Sequence, residues 1–137
     1  MDIRPLTTSY AVSPQIALED LPRLISLGFT DVIDNRPDAE IAPNLHTALM
    51  RAAAQAAGLN FHENPVIGGA ITDENVRVQA AAMAGAKGPI LAYCASGNRS
   101  SIVWALAQAG QKPADELITA AAQHGYNLEH LRAVLGG

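Results

Sequence analysis

Apolar positions along this chain fall into short, sharply bounded runs that switch between the period of a strand and that of a helix. Tyr10-Ala-Val-Ser-Pro-Gln-Ile16 reads as a short strand entering a turn, and residues 17–27 place Leu18, Leu21, Leu24, Ile25 and Leu27 at helical spacing before Gly28. Pro22 is compatible with that helix, because a first-turn proline lacks only an amide that has no partner there. Thr30-Asp-Val-Ile-Asp34 reads as a buried strand, and Asn35-Arg-Pro-Asp38 has turn chemistry. The alanine-rich stretch 45–57 ends at Gly58 and predicts a helix with a C-terminal glycine, after which Leu59 to Val66 returns as a strand. Thr72 or Asp73 caps a further helix through Ala86. Gly88-Pro89 breaks it, and Ile90-Leu-Ala-Tyr93 forms an apolar strand leading directly into Cys94. Residues 100–109, with Ile102, Val103, Trp104 and Leu106, read as a buried helix closed by Gly110. Pro113 opens another to about His124, and Asn127 caps a last short one carrying Leu128, Leu131, Val134 and Leu135.

Strands alternating with helices predict an α/β fold with a central, mostly parallel sheet of four to five strands flanked by helices. At 137 residues, the chain is expected to form a single domain over 1–137 whose core needs neither disulfide nor metal. Nine Lys and Arg form no run and the net charge is −4, which excludes the basic footprint of a nucleic-acid binder. No segment is apolar for long enough to cross a bilayer, and Met1-Asp-Ile-Arg-Pro5 does not resemble a secretory signal. One cysteine makes neither an internal disulfide nor a multi-thiolate metal site, so a reducing cytoplasm is the expected compartment. No sequence feature specifies an oligomeric state.

In such a sheet, ligands bind beyond the carboxyl ends of the strands, where Cys94-Ala95-Ser96-Gly97-Asn98-Arg99 falls. The amides of a helix start, the permissive backbone of Gly97 and the guanidinium fork of Arg99 are three separate features that favour a thiolate and a tetrahedral anion. A buried, inert cysteine beside an ordinary Arg99 ion pair is the plainer alternative. The strand before, the glycine within, and Arg99, Ser100 and Ser101 after it all favour the chemical reading. Asp34 and Arg36 follow an earlier strand: Arg36 either supplements Arg99 as an anion ligand, or forms a turn with Asp34 held by their mutual charge. His46, His62, His124 and His130 lack metal-ligand spacing, Trp104 reads as a packing residue and Tyr126 as a packing or turn residue.

The string Tyr93-Cys-Ala-Ser-Gly-Asn-Arg-Ser100 resembles the active loop shared by cysteine-dependent phosphatases and rhodanese-like sulfurtransferases. A wider pattern covers nearly the whole chain: Val32-Ile-Asp-Asn-Arg-Pro-Asp-Ala-Glu40, Pro65-Val66, Gly88-Pro-Ile-Leu-Ala-Tyr-Cys94 and Gly125-Tyr-Asn-Leu128. It is similar to the phosphatase-like domain of the beta-lactamase hydrolase-like family. The resemblance implies a fold like the dual-specificity phosphatases. It also implies a mechanism without metal or cofactor, in which Cys94 attacks phosphorus and forms a phosphocysteine that water hydrolyses. Amides of Ala95, Ser96, Gly97, Asn98 and Arg99, with the Arg99 side chain, would bind the equatorial oxygens, and Ser100 would hydrogen-bond the sulfur.

Two departures bear on that expectation. Only four residues separate Cys94 from Arg99, where phosphatases of this type usually have five, and Tyr93 stands where they have histidine. The loop after Pro65, where the general acid usually falls, reads Val66-Ile67-Gly68-Gly69. Asp73 downstream and Glu63 upstream are the nearest candidate acids, and Asp73 is better explained as a cap or first-turn acid of its helix. A rhodanese-like sulfurtransferase carrying a persulfide on Cys94 fits the shorter loop and needs no acid. A non-catalytic anion-binding module is the third alternative. All three expect a small anionic partner, a phosphoester or a sulfur species.

Overall fold

Three short strands buried on both faces need a layer of helices on each side, and the computed structural model, describing residues 1–137, shows that arrangement. β1 (Arg4–Pro5), β2 (Tyr10–Ser13), β3 (Asp31–Asp34), β4 (Asn60–Glu63) and β5 (Ile90–Tyr93) form one sheet in the order β1-β2-β5-β3-β4. All pairings are parallel except β1 with β2, so the sheet is mixed, with one antiparallel edge strand. β5 is flanked on both sides, Tyr10 and Asp31 both sitting opposite Ile90. The helices are α1 (Leu21–Ser26), α2 (Thr47–Ala57), α3 (Asp73–Gly85), α4 (Asn98–Ala107) and α5 (Ala114–Ala122). No helix is long and apolar enough to cross a membrane.

The strand alternation sorts the core into two halves. Val12, Ile33, Ile90 and Ala92 face α3, α4 and α5, where they meet Trp104, Ala105, Leu117 and Ala121. Ala11, Val32, Leu91 and Tyr93 face α1 and α2, where they meet Leu21, Leu24, Met50 and Ala54. Val12, Ile33 and Leu117 in one half and Leu21, Leu24, Val32 and Leu91 in the other are completely buried, at about 1.5–3 kcal/mol per large side chain.

One strand was not expected, and two expectations need correction. β1 has no sequence signature: it is two residues long, ends in proline, and exists because β2 offers it a partner. α4 begins at Asn98 rather than Ser100, since Gly97, at φ 94°, supplies the turn into the helix. The last predicted helix is only a 3-10 turn over Glu129–Leu131. Asn127 Oδ1 accepts the Glu129 amide there, and Val134 stays 65% exposed while Leu128 and Leu135 are buried. Leu128 and Leu135 anchor that segment, and its four apolar positions were not enough to make it helical.

Candidate active site

β5 carries the chain through the centre of the sheet and delivers Cys94 at its carboxyl end, fully buried. The backbone then turns through residues 95–97 into α4. The Gly97 amide donates to Cys94 Sγ at 3.1 Å, and Ser101, through both its amide (3.0 Å) and its hydroxyl (2.8 Å), bonds the Gly97 carbonyl. Asn98 N donates to Ser96 Oγ at 3.2 Å. The backbone amides of Ala95, Ser96, Arg99 and Ser100 have no acceptor in the protein. They are the free donors of a helix start and its preceding nest, the chemistry that binds a tetrahedral anion.

Arg99 lies in the first turn of α4 with one edge of its guanidinium engaged. Nη1 donates to Glu40 Oε2 and to the Val66 carbonyl, and Nη2 to Glu40 Oε1, each at 2.7 Å. Nε and the second Nη2 hydrogen have no protein oxygen, so one fork of the guanidinium remains for an anion. The Glu40 hydrogen bond, and to a lesser degree the adjacent Cys94 sulfur, hold the Arg99 guanidinium above its ordinary value. Glu40 is in turn held below the ordinary carboxylate value, chiefly by Arg99 and also by Arg36, and is therefore ionised at neutral pH.

Arg36 does not reach the loop. Its side chain donates to Gln15 Oε1 and the Glu40 carbonyl, both at 3.3 Å, and approaches Glu40 Oε1 at 3.5 Å. Arg36 thus supports Glu40, which supports Arg99. Nor do Asp34 and Arg36 pair side chain to side chain: Asp34 accepts the Arg36 backbone amide at 2.9 Å and the Thr47 hydroxyl at 2.7 Å. Burial pushes the Asp34 carboxyl up, with those hydrogen bonds opposing it. The hydroxyl of Tyr93 lies near Asp34, and burial, reinforced by that carboxylate, pushes its pKa upward as well.

The other flank was read only as packing. Tyr126 Oη donates to the Ser96 carbonyl at 2.7 Å and accepts from Arg4 Nη1 at 2.7 Å, with the Arg4 guanidinium 5.4 Å from the ring centre. A β-carbon on Gly97 would stand 2.3 Å from the Tyr126 oxygen. Behind the loop, Gln79 Oε1 accepts from Asn35 (3.1 Å) and Asn64 (3.0 Å), while Gln79 Nε2 donates to Tyr10 Oη. Tyr10 Oη donates onward to the Ser100 carbonyl at 2.9 Å. This buried chain fixes the segment carrying Val66 relative to α4. No local pattern announces it, because its members come from five separated segments.

Three further expected residues make the following contacts. Ser100 Oγ is buried with no hydrogen-bond partner, and the hydrogen bond to the sulfur comes from the Gly97 amide. Asp73 opens α3 behind the Thr72 cap and lines a surface groove with Leu106, Leu131 and Val134 that includes none of residues 94–99. Glu63 is paired with Arg51 at 3.1 Å. The histidines are dispersed: His62 bonds Asp31, His46 the Ile41 carbonyl and His124 the Pro5 carbonyl. No three His, Cys, Asp or Glu side chains gather as a metal site.

Residues 2–111 match the family described as beta-lactamase hydrolase-like protein, phosphatase-like domain. A beta-lactamase hydrolase-like protein of Agrobacterium fabrum is 31% identical over 119 residues, covering 85% of this chain and 28% of that protein. The chain thus spans under a third of that relative's length. A crystal structure from Neisseria meningitidis, provisionally named a phosphatase, superposes with a TM-score of 0.83 at 34% identity, covering 98% of this chain and 96% of that one. Kinase-associated phosphatase, solved with its catalytic-site cysteine replaced by serine, shares the fold at a TM-score of 0.72 and 14% identity, over 91% of this chain and 81% of that one. The architecture is that of the cysteine phosphatases.

Proposed function

The chain belongs to the family of phosphatase-like domains of beta-lactamase hydrolase-like proteins, and on that premise we propose that it is a cysteine-dependent phosphatase for small phosphoesters with Cys94 as nucleophile. The observation that carries this reading is the convergence at one strand end of a buried sulfur, four backbone amides without acceptors and a guanidinium with a free fork. In the reaction, a Cys94 lone pair forms the S–P bond while the bond from phosphorus to the leaving oxygen breaks. The free amides and Arg99 take up the charge on the equatorial oxygens. Water then attacks phosphorus, releasing phosphate and restoring the cysteine. The role left for Ser100 is to donate its unpaired hydroxyl to the departing sulfur.

Neither of the acids expected from the sequence, nor the carboxyl group beside Arg99, is available to protonate the leaving oxygen. Glu40 is held ionised by Arg99 and Arg36, and Asp73 and Glu63 are engaged elsewhere. The substrate class that follows is an ester of an acidic alcohol or phenol, whose oxygen departs without a proton. Release of phosphate from an aryl phosphate that disappears in Cys94→Ser, and that falls steeply as the leaving phenol becomes less acidic, is the expected result. The same lack of an acid favours persulfide transfer as the second reading. No phosphate release, together with a persulfide on Cys94 after exposure to a sulfur donor, would replace the first reading with the second.

A further inference from the structure

Gln79 lies midway along α3 and is completely buried, the only glutamine that is. A buried side-chain amide costs free energy unless its oxygen and nitrogen are both paired. Here Oε1 accepts from Asn35 Nδ2 at 3.1 Å and from Asn64 Nδ2 at 3.0 Å, and Nε2 donates to Tyr10 Oη at 2.8 Å. Backbone carbonyls, which can only accept, fix these directions. Asn35 Nδ2 also meets the Asn64 carbonyl at 3.0 Å, and Asn64 Nδ2 the Asn75 carbonyl at 2.9 Å, so both asparagines turn their nitrogens toward Gln79. Gln79 must therefore turn its oxygen toward them and its nitrogen toward Tyr10. Tyr10 Oη, already accepting, has one proton to give, and the Ser100 carbonyl takes it at 2.9 Å. Burial, reinforced by the neighbouring Cys94 sulfur, pushes the Tyr10 phenol well above its ordinary value, so that proton stays in place.

Both ends of this chain bear on Arg99. At one end, Ser100 follows Arg99 in the first turn of α4, and the hydrogen bond from Tyr10 holds its carbonyl. At the other, Asn35 and Asn64 hold the segment that receives the guanidinium: the Val66 amide donates to the Asn35 carbonyl at 2.9 Å, and the Val66 carbonyl accepts from Arg99 Nη1 at 2.7 Å. One side chain on α3 thus ties together the backbone that carries Arg99 and the acceptor that holds its head. A primary amide suits this position because it accepts twice on one side and donates on the other, whereas a carboxylate cannot donate. We propose that Gln79 is a positioning residue for the anion site: it touches no ligand, and it sets where the Arg99 guanidinium and the first amides of α4 stand. The proposal rests on the reading of the Cys94 loop as an anion site, and not on which reaction that site performs.

Gln79→Glu isolates the effect, because the new carboxyl donates to Tyr10 when protonated and only accepts when ionised. On ionisation the Tyr10 proton turns toward it, and the Ser100 carbonyl loses its donor. The probe is sulfate, a tetrahedral anion whose charge is constant from mildly acidic to mildly alkaline pH, followed through the amide signals of residues 95–100 in ¹H–¹⁵N spectra. Measured against wild type at each pH, Gln79→Glu should bind sulfate within about twofold at acidic pH and about tenfold more weakly at alkaline pH. Gln79→Met, which keeps the length without the amide, should bind about tenfold more weakly at every pH. Tyr10→Phe removes only the final donor and should weaken binding by about fivefold with no pH trend, which keeps the test decisive if Gln79→Glu unfolds at alkaline pH. Three results would overturn the proposal: wild-type affinity in Tyr10→Phe or Gln79→Met, a ratio of Gln79→Glu to wild type that stays constant with pH while the protein is folded, or no saturable movement at residues 95–100 in the wild type. The expected variant pattern on a wild type that releases no phosphate would sink the phosphatase reading and support this one.

Discussion

The Cys94 loop is held from two flanks by different physics. On the Arg99 flank, a run of charges passes from Arg99 to Glu40 to Arg36, with every link an ion pair or charged hydrogen bond. On the Tyr126 flank, one phenol hydroxyl bonds the Ser96 carbonyl, and the space where Gly97 would carry a side chain is already filled. The charged flank orients the group that meets the anion and responds to pH. The phenol flank fixes the backbone that presents the amides and responds to volume. The loop therefore needs Arg99 for its chemistry and Gly97 for its shape, and the two requirements can be broken separately.

The largest effect is expected from Arg99→Lys, which keeps the charge and loses the fork that serves Glu40 and the anion at once. A fall in kcat/KM of ~10²–10³, with the unfolding midpoint nearly unchanged, is the expected result from steady-state kinetics and thermal denaturation. An equal fall in Arg36→Lys would break the distinction between an anion ligand and its support. Gly97→Ala tests the other flank: at φ 94°, with the Tyr126 oxygen 2.3 Å from the new carbon, a loss of about 2–3 kcal/mol in denaturant unfolding is expected. A loss below ~0.5 kcal/mol would show that the loop is not sterically fixed there.

Glu40→Gln should lower kcat/KM by roughly tenfold by loosening Arg99 without removing it. Because Glu40 is held below the ordinary carboxylate value, its stabilising contribution is fully present above that ordinary value. It is lost as pH falls through the lowered one. The stability gap between wild type and Glu40→Gln should accordingly close on acidification. Asp34 has the opposite sign: burial raises its value, so the folded state favours its protonated form and loses stability as pH rises through the raised value. Asp34→Asn should therefore gain on the wild type as pH rises, measured as unfolding midpoint against pH. The smallest effect is expected from Tyr126→Phe, which keeps the ring and removes the bonds to Ser96 and Arg4, at about 1 kcal/mol in unfolding and a few-fold in kcat/KM.

The strand, loop and helix around Cys94 were legible because each is written locally: an apolar run, a glycine where the turn needs a positive φ, and an arginine just before the next apolar helical stretch. The helical and strand periods were legible for the same reason. Glu40 was quoted only as the end of a resemblance, although its spacing of four from Arg36 is an ion-pair signal on a tight turn. Nothing local links it to Arg99, 59 residues away. Tyr126 was read as packing because its hydroxyl partner is the backbone of a residue 30 positions earlier, which sequence pattern does not encode. Asp73 shows the reverse: the sequence offered both a capped-helix acid and a catalytic one, and the contacts found are those of the helix. Local chemistry is readable from sequence, and the tertiary hydrogen bonds that aim it are not.

The most direct measurement is mass spectrometry of the protein quenched in acid during turnover of an aryl phosphate, with the phosphoryl group located by peptide. The account predicts a phosphoryl group on the peptide containing Cys94, which disappears with phosphate release in Cys94→Ser. Phosphate release that survives Cys94→Ser would contradict it, as would a phosphoryl group found on any other side chain.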